Sequence, residues 1–261
     1  MRTKVRMSLN NEWLDEIDSR IVLQSVNESA PAMAQNAINK IGGIGQIATS
    51  KSRTTLDVSV SFTIKDVNNY EGRAELLNRL NAWFNKGGIL RVNYRPKERL
   101  NVICTQLPAV GYVRNWTNEY TVNLRAMVTP YWEQDELDTV TVTTANNARS
   151  FMVDGTVETP VFFTMENKST GTINNATVIL NDQRMVFNGL NLKSGMALVV
   201  DYNDNGIMRI RIRNGSTYTD AMAKRTAASV DELMARPGEN ALQIISDRIC
   251  LWNVYARGRS V

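Results

Sequence analysis

No histidine occurs anywhere in the 261 residues. That removes the usual general base, the usual activator of a serine or cysteine nucleophile and the commonest metal ligand together. Carboxylate chemistry stays available; most familiar active sites do not. Cysteine is nearly as scarce, with Cys104 and Cys250 alone. Each sits in an apolar run, Val102-Ile103-Cys104 and Ile249-Cys250-Leu251, where a cysteine behaves as a small buried hydrophobe. With no Cys-x-x-Cys spacing, neither a metal site nor a disulfide is expected, and no cofactor is called for. No apolar stretch approaches the roughly 18 residues of a membrane-spanning helix, so no membrane partner is expected. The opening Met1-Arg2-Thr3-Lys4-Val5-Arg6 is not followed by an apolar run of signal-peptide length, which makes synthesis and folding in a cytoplasm the expectation. Long basic blocks are missing too. There are 17 basic and 14 acidic residues up to Glu136, then 13 and 12 after it. Binding nucleic acid by neutralising phosphates would need basic residues concentrated on one face.

What is present is an ordinary globular composition. Hydrophobic residues at 43% and charged residues at 21% exclude a disordered chain, which would have fewer apolar groups and a larger net charge. The length exceeds one usual core and predicts two domains of roughly 100–150 residues each.

Alternation of apolar and polar residues marks half-buried strands through the first half. It predicts strands at Thr3–Leu9 and Arg20–Val26, and most clearly at Leu56–Ile64, where Leu56, Val58, Val60, Phe62 and Ile64 oppose Asp57, Ser59, Ser61 and Thr63. Between them, residues 30–54 differ in character. Ile38, Ile41, Ile44 and Ile47 recur every three residues, yet Gly42, Gly43 and Gly45 interrupt them. Each interior glycine costs a helix about 1 kcal/mol, so a long loop or extended hairpin arm is expected. Loops of that length inside compact domains are usually functional. One helix is predicted, capped by Asn68 or Asn69 and stopped at Gly87-Gly88, with Leu76, Leu77, Leu80, Trp83 and Phe84 on one face. That aromatic stripe reads as core. Strands follow at Ile89–Tyr94, Asn101–Leu107, Val110–Trp116 and Glu119–Val128, the last two joined by a turn at Thr117-Asn118. The first domain, 1–132, is therefore a β-rich α+β domain with one amphipathic helix.

Thr129-Pro130-Tyr131-Trp132-Glu133-Gln134-Asp135-Glu136 breaks the pattern as a domain junction does. From 137 to 261 the chain reads as short strands and turns, with a helix expected only at Ser229–Ala235. Strands are expected at Thr139–Thr144, Val161–Glu166, Ala176–Asn181, Arg184–Phe187, Ala197–Tyr202, Ile207–Arg213, Ala241–Ile245 and Arg248–Tyr255. Spacing of roughly 10–15 residues predicts a β-sandwich, so the whole chain is mainly β. In Ile207–Arg213, Met208, Ile210 and Ile212 point inward and Arg209, Arg211 and Arg213 outward, which reads as a solvated sheet face.

Few motifs suggest chemistry. Asp201-Tyr-Asn203-Asp-Asn205-Gly206 opens like a calcium loop, but its twelfth position is Ile212 and Asn205-Gly206 is a hairpin signal. Gly42-Gly43-Ile44-Gly45 lacks the Gly-Lys-Ser/Thr of a phosphate loop. Paired carboxylates for glycoside hydrolysis could be drawn from Asp138, Asp154, Glu158, Glu166 or Asp182, with nothing in the sequence to place any two together.

The order of these segments resembles the distal tail protein, or tail-tip hub protein, of siphophages. The likeness runs from the strand ending before Pro31 and the glycine-bearing arm to the strand Leu56–Ile64, the helix ending Leu80-Asn-Ala-Trp83-Phe84 and Thr129-Pro130-Tyr131-Trp132. It continues with Gly155 and Thr159-Pro160, Leu198-Val199-Val200-Asp201 with its hairpin, and the late turn Pro237-Gly238-Glu239-Asn240. The resemblance implies a homohexameric ring formed by the first domain around a channel that DNA only passes through, and a galectin-like second domain projecting outward. It implies partners in the tail tube protein and in tail-associated, fibre or receptor-binding proteins, at the virion tail tip, after synthesis in the bacterial host's cytoplasm. It implies no enzyme. Ile38, Ile41, Gly42, Gly43, Ile44, Gly45 and Ile47 are then the candidate oligomerisation arm, able to lie across a neighbour in a head-to-tail ring. Carbohydrate binding does not follow, because the second domain shows no obvious cluster of exposed aromatics. A carbohydrate-binding module, a cell-wall hydrolase and a tail tube subunit are the alternatives.

Overall fold

A computed structural model describes residues 4–29, 32–39, 46–65, 70–108 and 119–261, with backbone alone for 32–39, 46–54 and Tyr70. The chain separates into two compact units, Met1–Trp132 and Glu133–Val261. Each has its own apolar core.

The first unit runs β1 (Met7–Leu9), β2 (Glu12–Trp13), a short helix α1 (Leu14–Ile17), β3 (Ile21–Glu28), β4 (Ala32–Asn39), β5 (Gln46–Thr55) and β6 (Asp57–Ile64). It continues with α2 (Tyr70–Asn85), β7 (Gly88–Val92), β8 (Glu98–Gln106) and β9 (Glu119–Ala126), and β10 (Trp132–Gln134) spans the boundary. Seven strands follow one another, antiparallel, in the order β2–β1–β7–β8–β9–β6–β3 along one sheet. The alternation expected in β6 is complete: Val58, Val60, Phe62 and Ile64 are buried, and the residues between them are not. Helix α2 covers that inner face with Leu76, Leu77, Leu80, Trp83 and Phe84, all buried. Phe62 lies 6.0 Å from Phe84 and 5.6 Å from Tyr120, ring centre to ring centre. The indole of Trp83 keeps a polar partner, donating to Glu12 Oε2 at 2.8 Å. The helix ends where Gly87 turns to φ +59° and donates to Phe84 O. Helix α1 lies outside the sequence expectation, being too short to show a period. The expected cap at Asn68 or Asn69, the strand Val110–Trp116 and its turn fall outside the described residues.

The second unit holds β11 (Asp138–Val153), β12 (Thr159–Asn167), β13 (Ala176–Leu180), β14 (Gln183–Phe187), β15 (Ala197–Tyr202), β16 (Met208–Asn214), β17 (Thr217–Asp220), β18 (Met234–Ala235), β19 (Gly238–Ala256) and β20 (Arg259–Ser260). Two expected strands, Ala241–Ile245 and Arg248–Tyr255, are one 19-residue strand, β19. It pairs with β13 over its first half, with β12 over its second, and with β11 along both. The change of neighbour occurs at Ser246–Ile249, which bulge out opposite Ala145. β11 accordingly runs far beyond Thr144. Phe163 on β12 meets Phe187 on β14 edge-on at 6.1 Å, and one apolar core serves the strands paired to both halves of β19. These strands belong to one nine-stranded antiparallel sheet, in the order β14–β13–β19–β12–β15–β16–β17 with β11 on β19 and β18 on β12, which curls around this core.

Ser229–Ala235 is not a helix. Ser229 Oγ accepts from Val186 N, and Arg225 donates to the carbonyls of Val230 and Asp231, so the local groups are spent on neighbouring segments. Only Met234–Ala235 is regular, as β18 against Thr159–Pro160.

Candidate assembly surface

Residues 32–39 and 46–55 form a two-stranded antiparallel ribbon, so of the two shapes expected for this segment the described part is a hairpin arm. Ile38 and Ile47 are register partners within it, and Ala37 stands opposite Ala48. Ile41, Gly42, Gly43, Ile44 and Gly45 fall outside the described residues. Among the described residues the ribbon joins no third strand. A two-stranded hairpin is marginally stable alone, and both its edges offer hydrogen-bonding groups to another chain.

The root of the ribbon is held by groups that no sequence motif announced. Ser29 N donates to Asp57 O at 2.8 Å, and Ser29 Oγ accepts from Asp57 N at 3.0 Å. The ladder of β3 and β6 ends at Glu28 and Val58 and that of the arm begins at Ala32 and Thr55, so the two follow one another along the same pair of segments. Glu28 receives both Nε (3.1 Å) and Nη2 (3.2 Å) of Arg95, whose Nη1 reaches Glu98 at 2.8 Å. The same guanidinium lies 5.1 Å from the ring centre of buried Trp132. Asp57 is paired with Arg125 at 2.7 Å. Apart from Arg95 and Glu98, these partners are tens of positions apart in the chain, so only the fold could bring them together.

From this root the outward face of β3, β6, β9 and β8 extends away from the core. Its rows follow the register: Asn27, Ser59 and Asn123; then Ser25, Ser61 and Thr121. Ser61 and Thr121 hydroxyls are 3.3 Å apart, Gln24 donates to Thr63 at 2.9 Å, and Asn123 donates to Gln106 at 2.8 Å. Glu119 stands at one end of β9 and the Asp57–Arg125 pair at the other, where Arg125 is the register partner of the exposed Ile103 of β8.

In the second unit the calcium-like segment is a hairpin turn. Asn203 Oδ1 accepts from the backbone N–H of Asn205 and Ile207, Gly206 has φ +74°, and Asp201 is taken by Arg209 and Arg211. The arginines of β16 are thus engaged: Arg211 also lies over the Tyr218 ring at 4.4 Å, and Arg213 reaches Glu166 at 3.9 Å. Of the carboxylates considered for catalysis, Glu158 and Asp182 both approach Arg236, at 3.9 and 3.5 Å, and Asp138 accepts from Asp154 N. Burial first, and then the charge of Asp154, push the Asp138 carboxyl up. Phe162 and Tyr255 stack at 5.3 Å on neighbouring strands. Cys104 and Cys250 are free thiols in separate units, both pushed up by burial. Among the described residues no cluster of three or more Cys, Asp or Glu is placed to hold a metal ion.

No protein-family model matches the chain, and no curated protein matches its sequence. Solved structures do match. The Dit protein of SPP1, a paradigm of hub adsorption apparatus in Gram-positive infecting phages, gives a TM-score of 0.69 at 13% identity, covering 98% of this chain and 99% of that one. A chain of the phage P2 baseplate in its activated conformation with Ca gives 0.52 at 9% identity, over 99% and 98% of the two chains. The same baseplate with Sr gives 0.51 at 9%, over 97% of each. At these identities the likeness is one of fold. It extends over nearly the full length of both chains, so this chain shares its mainly-β fold with those proteins.

Proposed function

We propose that this chain is a structural hub protein of a phage tail tip, of the distal tail family. The observation that carries the reading is the full-length fold shared with the SPP1 Dit protein, at a TM-score of 0.69 over 98% of this chain. Residues 1–132 form the ring-closing domain, and residues 137–261 are a galectin-like sandwich that docks outward. Six copies close head to tail around a channel, each arm lying on its neighbour with Ile38, Ile41, Gly42, Gly43, Ile44, Gly45 and Ile47 at the contact. The ring joins the tail tube protein on one side to tail-associated, fibre or receptor-binding proteins on the other. The ribbon supports this reading, since a hairpin with two open edges gains stability from a neighbour. None of these roles needs catalysis.

Mass measurement with negative-stain imaging of the purified chain tests the proposal. Closed rings of six copies are expected. Long stacked tubes would instead favour a tail tube subunit, and a monomer at every concentration would overturn ring formation.

A second reading, saccharide binding by residues 137–261, is favoured by the stacked Phe162 and Tyr255 beside Thr139, an aromatic platform at a sheet surface. Binding on a glycan array that disappears with Tyr255→Ala would support it. No binding by the wild-type chain would remove it.

A further inference from the structure

We propose that the open edge of β11 at Thr139–Thr143 pairs with the same segment of a second copy of this chain, antiparallel about a two-fold axis at Thr141. This goes beyond the ring reading, whose head-to-tail contacts belong to the first unit, and does not depend on it.

The second unit treats its strand edges unequally. β14 is bordered on its outer side by residues 224–230: Thr226 N donates to Val186 O, Val186 N to Ser229 Oγ and Val230 N to Arg184 O, each at 2.9 Å. β17 is only four residues long. β11 has 16 residues, pairs with β19 from Asp138 to Val153, and joins no second strand among the described residues. In an antiparallel ladder every other residue turns both backbone polar groups away from its partner, so this edge offers donors and acceptors along its length. Natural edges are blunted by lysine, proline or shortness. β11 has neither lysine nor proline, and its charges are Asp138 and Arg149 alone. Between those two, Thr139–Thr144 are six consecutive β-branched residues, the type best suited to strands.

The sequence of this stretch selects its partner. Thr-Val-Thr-Val-Thr reads the same in both directions. A second copy laid antiparallel with Thr141 on the axis therefore sets Thr139 opposite Thr143, Val140 opposite Val142 and Thr141 opposite itself. Directly opposite residues share a face, where Thr–Thr and β-branched pairs are favourable. Thr139, Thr141 and Thr143 are exposed, while Val140 and Val142 are only half-buried at the border of the core. The second copy's valines would cover that remaining apolar surface. Moving the axis by one residue breaks the match: centred on Val140 it sets Asp138 opposite Val142, and centred on Val142 it sets Val140 opposite Thr144. The stretch is also closed at its far end. Thr144 Oγ1 donates to Asn146 O at 3.0 Å and accepts from Asn146 N at 3.2 Å, so the next backbone groups are spent locally. An isologous contact of this kind needs one self-complementary patch.

Disulfide trapping of the full chain tests this, in a Cys104→Ser background that removes the half-buried thiol. Opposite residues stand about 4.5–5.5 Å apart, Cα to Cα, within disulfide reach, whereas the two copies' Thr143 would be about 14 Å apart. Thr141→Cys is therefore expected to form a dimer on non-reducing gels about tenfold faster, or more, than Thr139→Cys or Thr143→Cys alone. Thr139→Cys and Thr143→Cys in one chain should cross-link as Thr141→Cys does. Equal rates at the three single positions would mean chance collision. No cross-link at any would mean that the second copy is not the occupant, as when a strand of a different protein takes the edge. Either result overturns the proposal. Adding Thr139→Lys and Thr143→Lys to Thr141→Cys sets like charges opposite one another and should abolish the dimer, while Thr139→Glu with Thr143→Lys should restore it. A dimer indifferent to both changes overturns the register. Ring closure is read separately, from the mass of the lysine variant, so that either assembly can fail without the other.

Discussion

Asn240 is fully buried, and its amide is saturated by main chain and one neighbour. Its Oδ1 accepts from Arg236 N and Asn181 Nδ2, both at 2.9 Å. Its Nδ2 donates to the carbonyls of Arg236 (2.8 Å), Gly238 (3.0 Å) and Phe151 (3.3 Å). That closes the Pro237–Asn240 turn and ties it to β11. Asn240→Ala would strand several buried backbone groups and should cost about 2–4 kcal/mol, read as a lower urea midpoint for the intact chain. Gly155 is fixed by another constraint. Its φ is +124°, and a Cβ there would stand 2.3 Å from Arg259 O. Gly155→Ala must therefore move backbone at β20, and a loss of about 1–3 kcal/mol is expected in the same measurement. Asp18 supplies a pH signature. Hydrogen bonds from the Arg20 side chain, and then from the Arg20 backbone N–H, lower its carboxyl to about 2. Because the folded value lies below the unfolded one of about 3.9, the pair's contribution is complete above pH 4 and is lost as pH falls through about 2. NMR titration should show that midpoint, and Arg20→Ala should return it toward the ordinary value. The effect on stability is small, since Arg20 is 41% exposed.

At the scale of elements, α2 is the case in which pattern and packing agree. Leu76, Leu77, Leu80, Trp83 and Phe84 share a face by spacing alone, and all five are buried against the sheet. Leu80→Ala should cost about 2–5 kcal/mol with the denaturant slope unchanged, as for other large-to-small core changes. β19 is the opposite case. A break at Ser246-Asp247 was legible between the two expected strands; the bulge itself runs from Ser246 to Ile249. That the two flanking stretches are one strand changing partners was not legible. Asp247 accepts from Asn174 N and Asn175 N at 2.9 and 2.7 Å, and Ser246 Oγ donates to Arg248 O, contacts that hold the bulge in place. Ser229–Ala235 failed as a helix for a related reason: Ser229 found its partner in β14, and the Val230 carbonyl was taken by Arg225 from outside the segment.

For the whole molecule, the arm carries the sharpest expectation. Removing Pro31–Thr54 should abolish ring formation while circular dichroism and cooperative unfolding stay those of a folded chain. The β3–β6 ladder ends at Glu28 and Val58, before the ribbon begins. Rings that still form without it would reduce the arm to surface. The thiols offer a further check of integrity. Buried Cys250 should resist a thiol reagent until the chain unfolds, and half-buried Cys104 should react sooner.

Periodicity and composition by themselves determined that the chain is mainly β, that α2 exists and which of its faces is apolar, that residues 30–54 suit a loop or hairpin arm better than a helix, and that Asn205-Gly206 turns a hairpin. Each is a local property, written in side-chain alternation or in glycine's backbone freedom. The tertiary structure alone decided what depends on register between distant segments. It joined Glu28 to Arg95 and Asp57 to Arg125 at the root of the arm, passed β19 from β13 to β12 as its partner, and gathered Ser25, Ser61 and Thr121 into one row. Pairing energy between strands is nearly indifferent to sequence separation once the loops are closed, so no reading along the chain could have found those neighbours.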